Sequence, residues 1–294
     1  MVDLKEITRR QSVRRFDIRR IGAGGDAGAN DGPEVPDIVA TEEPLEIRLA
    51  YSKPDGERAE QSVSITMRTP GNDEELAVEF LFTEGIVRRY ADVQSVAPCG
   101  PPAPNGLINV VRVELAPDVA VELKRLERHF YTSSSCGVCG KASLDAVAVQ
   151  GAFNLHAVEL KVDRDVLSRL PRELQAQQAV FEQTGGLHAS GLFDASGRIL
   201  AVREDVGRHN ALDKLIGGQL KSGKVPLARF GIVVSGRASF ELMQKAMMAG
   251  CPIVAAVGAP SSLAVDLARE FGMTLVGFLK PSGCNIYNRP DRIV

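Results

Sequence analysis

Two cysteines separated by two residues, Cys136 and Cys139, are the side chains in this sequence best suited to covalent chemistry. They lie among small and polar residues between Tyr131 and Lys141, a composition that indicates a mobile loop. Positive charge on Lys141 and Arg128, together with the start of a following helix, favours the thiolate form of a nearby cysteine. A thiolate on such a loop can attack a donor persulfide, keep its outer sulfur and pass it on at another surface. The pair is therefore typical of a sulfur carrier.

Two other uses of a Cys-x-x-Cys pair stay open at this point. A structural zinc site needs four ligands, and none of Cys99, Cys251 and Cys284 belongs to a second pair, so the sequence offers no complete metal site. A thioredoxin-like redox pair belongs at a strand-to-helix turn within a βαβ unit, whereas this pair lies in a Ser- and Gly-rich loop. The residues alone therefore indicate a zinc half-site, a redox pair or a sulfur carrier.

The composition of the chain narrows its class. It has 294 residues, 44% of them hydrophobic, which is enough for one large or two modest domains with a proper core. Its 35 basic and 37 acidic residues give a net charge of −2, so we expect neither a nucleic-acid partner nor attraction to an anionic membrane. No apolar stretch resembles a signal-peptide core or reaches the roughly 20 residues of a bilayer span. We therefore expect a cytoplasmic protein with reduced thiols.

The pattern of apolar, glycine and charged residues predicts four regions. Residues 1–38, rich in arginine and glycine, should form a flexible basic arm. Residues 39–125 should form a small α+β domain that contains a hairpin, a helix and a further strand. Residues 126–145 should form the mobile loop that carries the cysteine pair. Residues 146–294 should form an α/β domain.

The order of elements in the last region predicts its architecture. A helix with Pro171 in its first turn is followed by a hairpin around Gly197 and then by three helix–strand units, which predicts a mixed, partly parallel sheet. The same order occurs in the three-layer core of zinc nucleobase deaminases, where His-x-Glu and Pro-Cys-x-x-Cys motifs open two helices. His209-Asn210-Ala211 and residues 236–240 stand at those places here. We therefore expect a cytidine-deaminase-like core without the metal and the general acid.

Four turns at element ends in this region carry groups that suit phosphate. They combine glycines, hydroxyls and positive charge where backbone N–H groups of helix N-termini are available. Arg208 and Arg237 supply charge, and His188 follows two glycines. The turns therefore predict a nucleotide or pyrophosphate-bearing ligand, although the glycine fragments match neither a P-loop nor a dinucleotide fingerprint. The four segments are Phe181-Glu182-Gln183-Thr184-Gly185-Gly186-Leu187-His188, Glu204-Asp205-Val206-Gly207-Arg208-His209-Asn210, Ser235-Gly236-Arg237-Ala238-Ser239 and Ala259-Pro260-Ser261-Ser262.

Over about residues 40–292 the sequence resembles the formate dehydrogenase accessory sulfurtransferases, the FdhD family. The resemblance rests on the segments above together with Arg68-Thr69-Pro70-Gly71-Asn72-Asp73 and Ser134-Ser135-Cys136-Gly137-Val138-Cys139-Gly140-Lys141. It implies a cytoplasmic, homodimeric protein of deaminase-like fold. It also implies that sulfur arrives as a persulfide from a cysteine desulfurase and is transferred to the molybdenum bis(molybdopterin guanine dinucleotide) cofactor that formate dehydrogenase requires.

The resemblance also assigns roles to residues. It makes Cys136 the persulfide carrier and Cys139 its assisting or resolving partner. His188 and Arg237 are predicted contacts of the guanine nucleotide part, for which GDP is a possible mimic. A noncatalytic cofactor chaperone and a zinc-binding structural module are the alternative functions. The implied cofactor contacts in the last predicted strand and its exit are Leu275, Val276, Gly277, Phe278, Leu279 and Lys280.

Overall fold

The chain forms three sheets in the computed structural model, which describes residues 11–19, 34–121 and 153–294. The first sheet is an antiparallel pair of strands, β1 (Val13–Ile18) and β2 (Val35–Ala40). The prediction of a flexible arm over residues 1–38 is therefore wrong for residues 13–18 and 35–38, which belong to these strands. Most side chains of β1 are exposed, and the strands are held by backbone pairing, so the hydrophobic pattern gave no signal for them.

The second sheet has four strands in the order β4-β3-β6-β5 and is covered by helix α1 (Asp73–Thr83). The expected hairpin, helix and further strand are confirmed, and β5 adds an edge strand that the sequence pattern did not indicate. β3 pairs antiparallel with β4 and parallel with β6. The strands are β3 (Glu43–Ser52), β4 (Arg58–Arg68), β5 (Val93–Pro98) and β6 (Val110–Leu115).

The third sheet is mixed and has six strands in the order β12-β11-β10-β9-β7-β8. The three helix–strand units are confirmed, and β9, β10 and β11 are parallel to one another. The strands are β7 (His188–Phe193), β8 (Ile199–Asp205), β9 (Gly231–Val234), β10 (Ile253–Ala256), β11 (Thr274–Lys280) and β12 (Gly283–Asn288). The helices of this part are α2 (Arg164–Gln175), α3 (Phe181–Thr184), α4 (Arg208–Lys221), α5 (Phe240–Met248) and α6 (Ser262–Glu270).

Helix α2 corrects the expected position of Pro171, which lies in the helix interior and not in its first turn. The helix begins at Arg164 because Asp163 caps it, its side chain accepting a hydrogen bond from the Asp165 N–H at 2.7 Å. A stripe of buried apolar residues then continues past the proline, so packing outweighs the missing backbone donor. The stripe consists of Val166, Leu167, Leu170 and Leu174.

The four-stranded and six-stranded sheets share one hydrophobic core, because α1 packs against α4 between them. The two helices approach so closely at Gly217 that a Cβ there would lie 1.9 Å from the Glu75 carbonyl oxygen. Glu75 also pairs with Arg203 across the same boundary, at 2.6 Å. The described parts of regions 39–125 and 146–294 therefore share this core, and a second cluster of buried residues lies wholly within residues 162–293. Within the described ranges, no helix has the length and hydropathy needed to cross a bilayer.

Candidate functional site

The ends of strands β7, β9, β10 and β11 lie side by side at one edge of the six-stranded sheet. Their backbones are joined in a row: the Gly258 N–H donates to the Gly236 carbonyl at 2.9 Å, and the Phe278 N–H donates to the Gly258 carbonyl at 3.0 Å. On the other side, the Ser235 N–H and the Ala189 carbonyl are 2.9 Å apart. The carboxyl ends of parallel strands in such sheets are the usual place for ligands.

Gly236 brings two functional side chains of this edge together. A Cβ at Gly236 would lie 3.3 Å from His188 Nδ1 and 3.7 Å from Arg208 Cδ, so the imidazole and the arginine stem flank bare backbone. Gly258 has a similar role, since a Cβ there would lie 3.0 Å from the backbone nitrogen of Arg237, whose side chain is exposed. We call His188, Arg208, Gly236, Arg237 and Gly258 the strand-end site.

Arg208 is the first residue of α4 and supplies a half-buried positive charge to the strand-end site. Within the described part of the chain, its Nε atom is buried and has no hydrogen-bond partner. A buried guanidinium donor without an acceptor is costly unless a ligand supplies one. The positive end of the α4 dipole adds to the attraction of this position for an anion.

The two histidines of this edge are neutral at neutral pH. Burial lowers the pKa of His188, and the charge of Arg208 lowers it further, while Asp205 acts in the opposite direction. Burial and the charges of Arg208 and Lys245 lower the pKa of His209 to about 4. The positive charge offered to a ligand therefore comes from the arginines, and His188 can serve as an uncharged hydrogen-bonding group.

The first turn of α5 faces the same edge and is built differently from that of α6. Ser261 caps α6 by accepting a hydrogen bond from the Ala264 N–H at 3.2 Å. Ser239, at the corresponding place before α5, makes no such cap, and its hydroxyl lies 3.1 Å from His209 Nε2. The first backbone N–H groups of α5 therefore have no cap from the Ser239 side chain, and they are available to a ligand.

Strand β11 contributes to this edge through a few of its residues. Leu275, Val276 and Leu279 are buried in the core, so their side chains pack and do not face a ligand. Phe278 and Lys280 are exposed, and Phe278 has a left-handed backbone with φ of 52°. Of the six predicted cofactor contacts in this strand, these two offer their side chains at the surface.

Every residue of the strand-end site lies within a single range of the chain, residues 40–294, that a family model matches. The sequence model of the FdhD/NarQ family matches residues 40–294. The chain belongs to the FdhD/NarQ family. Its similarity to curated members is high across nearly the whole chain, so the match does not depend on one motif.

Two relatives illustrate the range of this similarity. The sulfur carrier protein FdhD of Streptomyces coelicolor is 51% identical over 261 residues, covering 88% of this chain and 89% of the relative. The protein of the same name from Saccharolobus solfataricus is 38% identical over 281 residues, covering 96% of this chain and 98% of the relative. The fold also matches a crystal structure described as a formate dehydrogenase accessory protein from Desulfotalea psychrophila. That match has a TM-score of 0.71 at 25% identity and covers 96% of this chain and 100% of the other.

Cys136, Cys139 and the predicted loop 126–145 of this FdhD/NarQ family member lie outside the described residues. Of the other cysteines, Cys251 is fully buried, and burial raises its pKa to about 12. Burial also raises the pKa of Cys284. Neither environment favours a thiolate nucleophile. Among the described residues, no group of three or more His, Cys, Asp and Glu side chains is arranged to hold a metal.

Sequence reasoning missed the polar residues beneath the strand-end site, above all Lys214. This lysine lies on the buried face of α4 and its ammonium is 2.6 Å from Asp205 Oδ2, which is also buried. The available signal was a lysine in a largely apolar helical segment, because a buried lysine requires a partner. The segment is Ala211-Leu212-Asp213-Lys214-Leu215-Ile216.

Proposed function

We propose that this protein carries sulfur from a cysteine desulfurase to the molybdenum bis(molybdopterin guanine dinucleotide) cofactor of a formate dehydrogenase. Cys136 receives the sulfur as a persulfide, and the strand-end site binds the cofactor, which is the substrate of the transfer. The observation that carries the proposal is the buried, unpartnered Nε of Arg208 beside Gly236 and His188, within the described part of a chain whose relatives are named sulfur carriers.

The transfer of sulfur to the protein is a thiol–persulfide exchange. The Cys136 thiolate attacks the outer sulfur of the desulfurase persulfide, and the donor S–S bond breaks, leaving a thiolate on the desulfurase. When the sulfur is delivered to the cofactor, the outer sulfur of the persulfide is reduced to sulfide. The Cys139 thiolate attacks the inner sulfur on Cys136, a Cys136–Cys139 disulfide forms as the persulfide S–S bond breaks, and the released sulfide replaces an oxygen ligand of the molybdenum substrate, which leaves as water. A dithiol reductant then restores both thiols.

The strand-end site fits the pyrophosphate of a guanine dinucleotide. Arg208 offers a buried donor without an acceptor in the described chain, and the exposed Arg237 offers a second guanidinium. The missing side chains of Gly236 and Gly258 let His188, Arg208 and Arg237 pack closely at this edge, and the positive ends of α4 and α5 add attraction for phosphate. Phe278 and Lys280 extend the exposed surface along the same edge. Uncharged His188 completes the site without adding positive charge to it.

We also propose that the six-stranded part has the cytidine-deaminase-like core. The order β8-β7-β9-β10-β11, with β9 to β11 parallel, supports this proposal. The His209 side chain, which stands at the expected histidine-ligand position, lies 3.1 Å from the Ser239 hydroxyl, and Arg237 and Phe240 stand where the motif has its two cysteines. The proposal includes a homodimer in the cytoplasm, and light scattering of the purified protein tests the dimer.

Restoration of formate dehydrogenase activity in cells that lack their own copy of this protein tests the proposal. We expect Cys136→Ala to abolish restoration, whereas Cys99→Ala, a cysteine change outside the pair, retains it. Restoration by Cys136→Ala at the level of the unchanged protein would favour a noncatalytic chaperone. Stoichiometric zinc that disappears in Cys136→Ser would favour the structural module.

A further inference from the structure

A single buried carboxylate, that of Asp205, organises the polar residues beneath the strand-end site. Its Oδ1 accepts hydrogen bonds from the Gly207 N–H at 2.8 Å and from Asn210 Nδ2 at 3.2 Å. Its Oδ2 accepts from the Thr69 N–H at 3.0 Å and lies 2.6 Å from Lys214 Nζ. We call these five residues the Asp205 network. Four donors surround this carboxylate, two at each oxygen, so its negative charge is compensated by hydrogen bonds.

The Asp205 network ties the turn after β4 to the turn before α4. Lys214 Nζ also donates to the Thr69 carbonyl at 2.7 Å, and the Val206 N–H donates to Thr69 Oγ1 at 3.1 Å. Asn210 Nδ2 donates to the Met67 carbonyl at 2.7 Å. The turn of residues 205–207 is therefore held from both sides, and this turn determines where α4 begins.

Arg208 follows that turn directly, which places its positive charge near the negative charge of Asp205. Both groups lie near His188: Asp205 is its register partner in the β7–β8 pair, and a Cβ at Gly236 would lie 3.3 Å from His188 Nδ1 and 3.7 Å from Arg208 Cδ. Asp205 and Arg208 are three residues apart in the chain, so the Asp205 carboxylate is a potential partner of the Arg208 guanidinium. The hydrogen bonds from Lys214 and Thr69 hold the Asp205 carboxylate instead.

We propose that Lys214 is a positioning residue that holds the Asp205 carboxylate and thereby keeps Arg208 Nε, which has no partner among the described residues, available to the diphosphate of the substrate. The proposal rests on the proposed function of the strand-end site. Lys214 acts by occupying the Asp205 carboxylate, which would otherwise compete with the ligand for Arg208. Neither residue touches the ligand, because both side chains are buried beneath the turn.

Removal of Lys214 alone tests this competition. In Lys214→Met the Asp205 carboxylate loses its charged partner and turns to Arg208, so GDP affinity falls roughly 10- to 100-fold, the size of one charge-assisted contact. In Lys214→Met/Asp205→Asn no carboxylate competes, and GDP affinity returns to within about threefold of the unchanged protein. Glu75→Gln, which breaks the ion pair with Arg203 away from the network, is the matched control and leaves GDP affinity unchanged.

Isothermal titration calorimetry with GDP gives the affinities, and thermal unfolding verifies that each variant is folded. If Lys214→Met does not fold, Lys214→Gln keeps one donor to Asp205 and should weaken GDP binding in the same direction. Equal GDP affinity of the folded Lys214 variant and the unchanged protein would overturn the proposal. So would a folded double variant that binds as weakly as the single one.

The titration of His188, followed by NMR without ligand, separates this proposal from the proposed function. Pairing of Arg208 with Asp205 weakens the repulsion that lowers the pKa of His188, so that pKa rises in Lys214→Met and stays unchanged in Glu75→Gln. An unchanged pKa of His188 in Lys214→Met would refute the positioning role. If the unchanged protein does not bind GDP, the proposed binding site fails, and this titration still decides the positioning role.

Discussion

Replacing Gly236 with alanine should separate ligand binding from folding at the strand-end site. The added Cβ would lie 3.3 Å from His188 Nδ1 and 3.5 Å from His188 Cε1, so the half-buried imidazole has to move by only a few tenths of an ångström. Gly236 does not have a left-handed backbone, and alanine restricts the unfolded chain, so the net change in stability is within about 1 kcal/mol. That corresponds to a shift in Tm of at most about 2–4 °C.

The effect on binding should be larger, because the methyl group pushes the His188 imidazole and the Arg208 stem away from the positions in which we expect them to contact the phosphates. Displacement of a phosphate from one charge-assisted contact lowers GDP affinity roughly 10- to 100-fold, or about 1.4–2.8 kcal/mol. Gly186→Ala is the matched control, since a Cβ there meets only Ala40 Cβ at 3.6 Å and the Thr184 oxygens at 3.9 Å, all ordinary contacts. Calorimetry with GDP and thermal unfolding measure both quantities. Wild-type GDP affinity in a folded Gly236→Ala variant would refute the placement of the ligand.

Two further predictions concern stability. Gly217→Ala forces α1 away from α4, because its Cβ would meet the Glu75 carbonyl oxygen at 1.9 Å, and it should destabilise by about 1–3 kcal/mol in denaturant unfolding. Gly218→Ala meets side-chain atoms at 3.0 Å or more and should cost less; equal costs would contradict the close approach. The pKa of His209 is about 4 in the folded protein and about 6.5 in the unfolded chain, so the unfolded state binds more protons between these values. Stability should therefore fall as the pH drops from about 6.5 toward 4, and His209→Gln should flatten this part of the profile; an unchanged profile would contradict the assignment.

The helices and strands of residues 199–280 were predictable because their apolar residues repeat with clear periods and glycines end α5 and α6. Gly250 and Gly272 follow these two helices, and both have left-handed backbones. Strands β1 and β2 were not predictable in the same way. Most side chains of β1 are exposed and most of those of β2 are half-buried, so the two strands depend on backbone pairing, which leaves no pattern in the sequence.

The strand-end site was predictable in part. Arg208, Gly236 and His188 lie in segments that combine glycine with charge at element ends, and the fold brings these segments to one edge of the sheet. The Asp205 network could not be predicted, because its hydrogen bonds join residues such as Thr69 and Lys214 that are 145 positions apart. The burial of Leu275 and its neighbours could not be predicted either, because it depends on helices that cover both faces of the sheet.

Intact-mass spectrometry after incubation with a cysteine desulfurase and cysteine tests the central claim most directly. We expect the protein to gain the mass of one sulfur atom, which a thiol reductant removes, and we expect Cys99→Ala to gain it as well. Cys136→Ala should gain none. No added sulfur on the unchanged protein, or the same addition on Cys136→Ala, would contradict the assignment of Cys136 as the persulfide carrier.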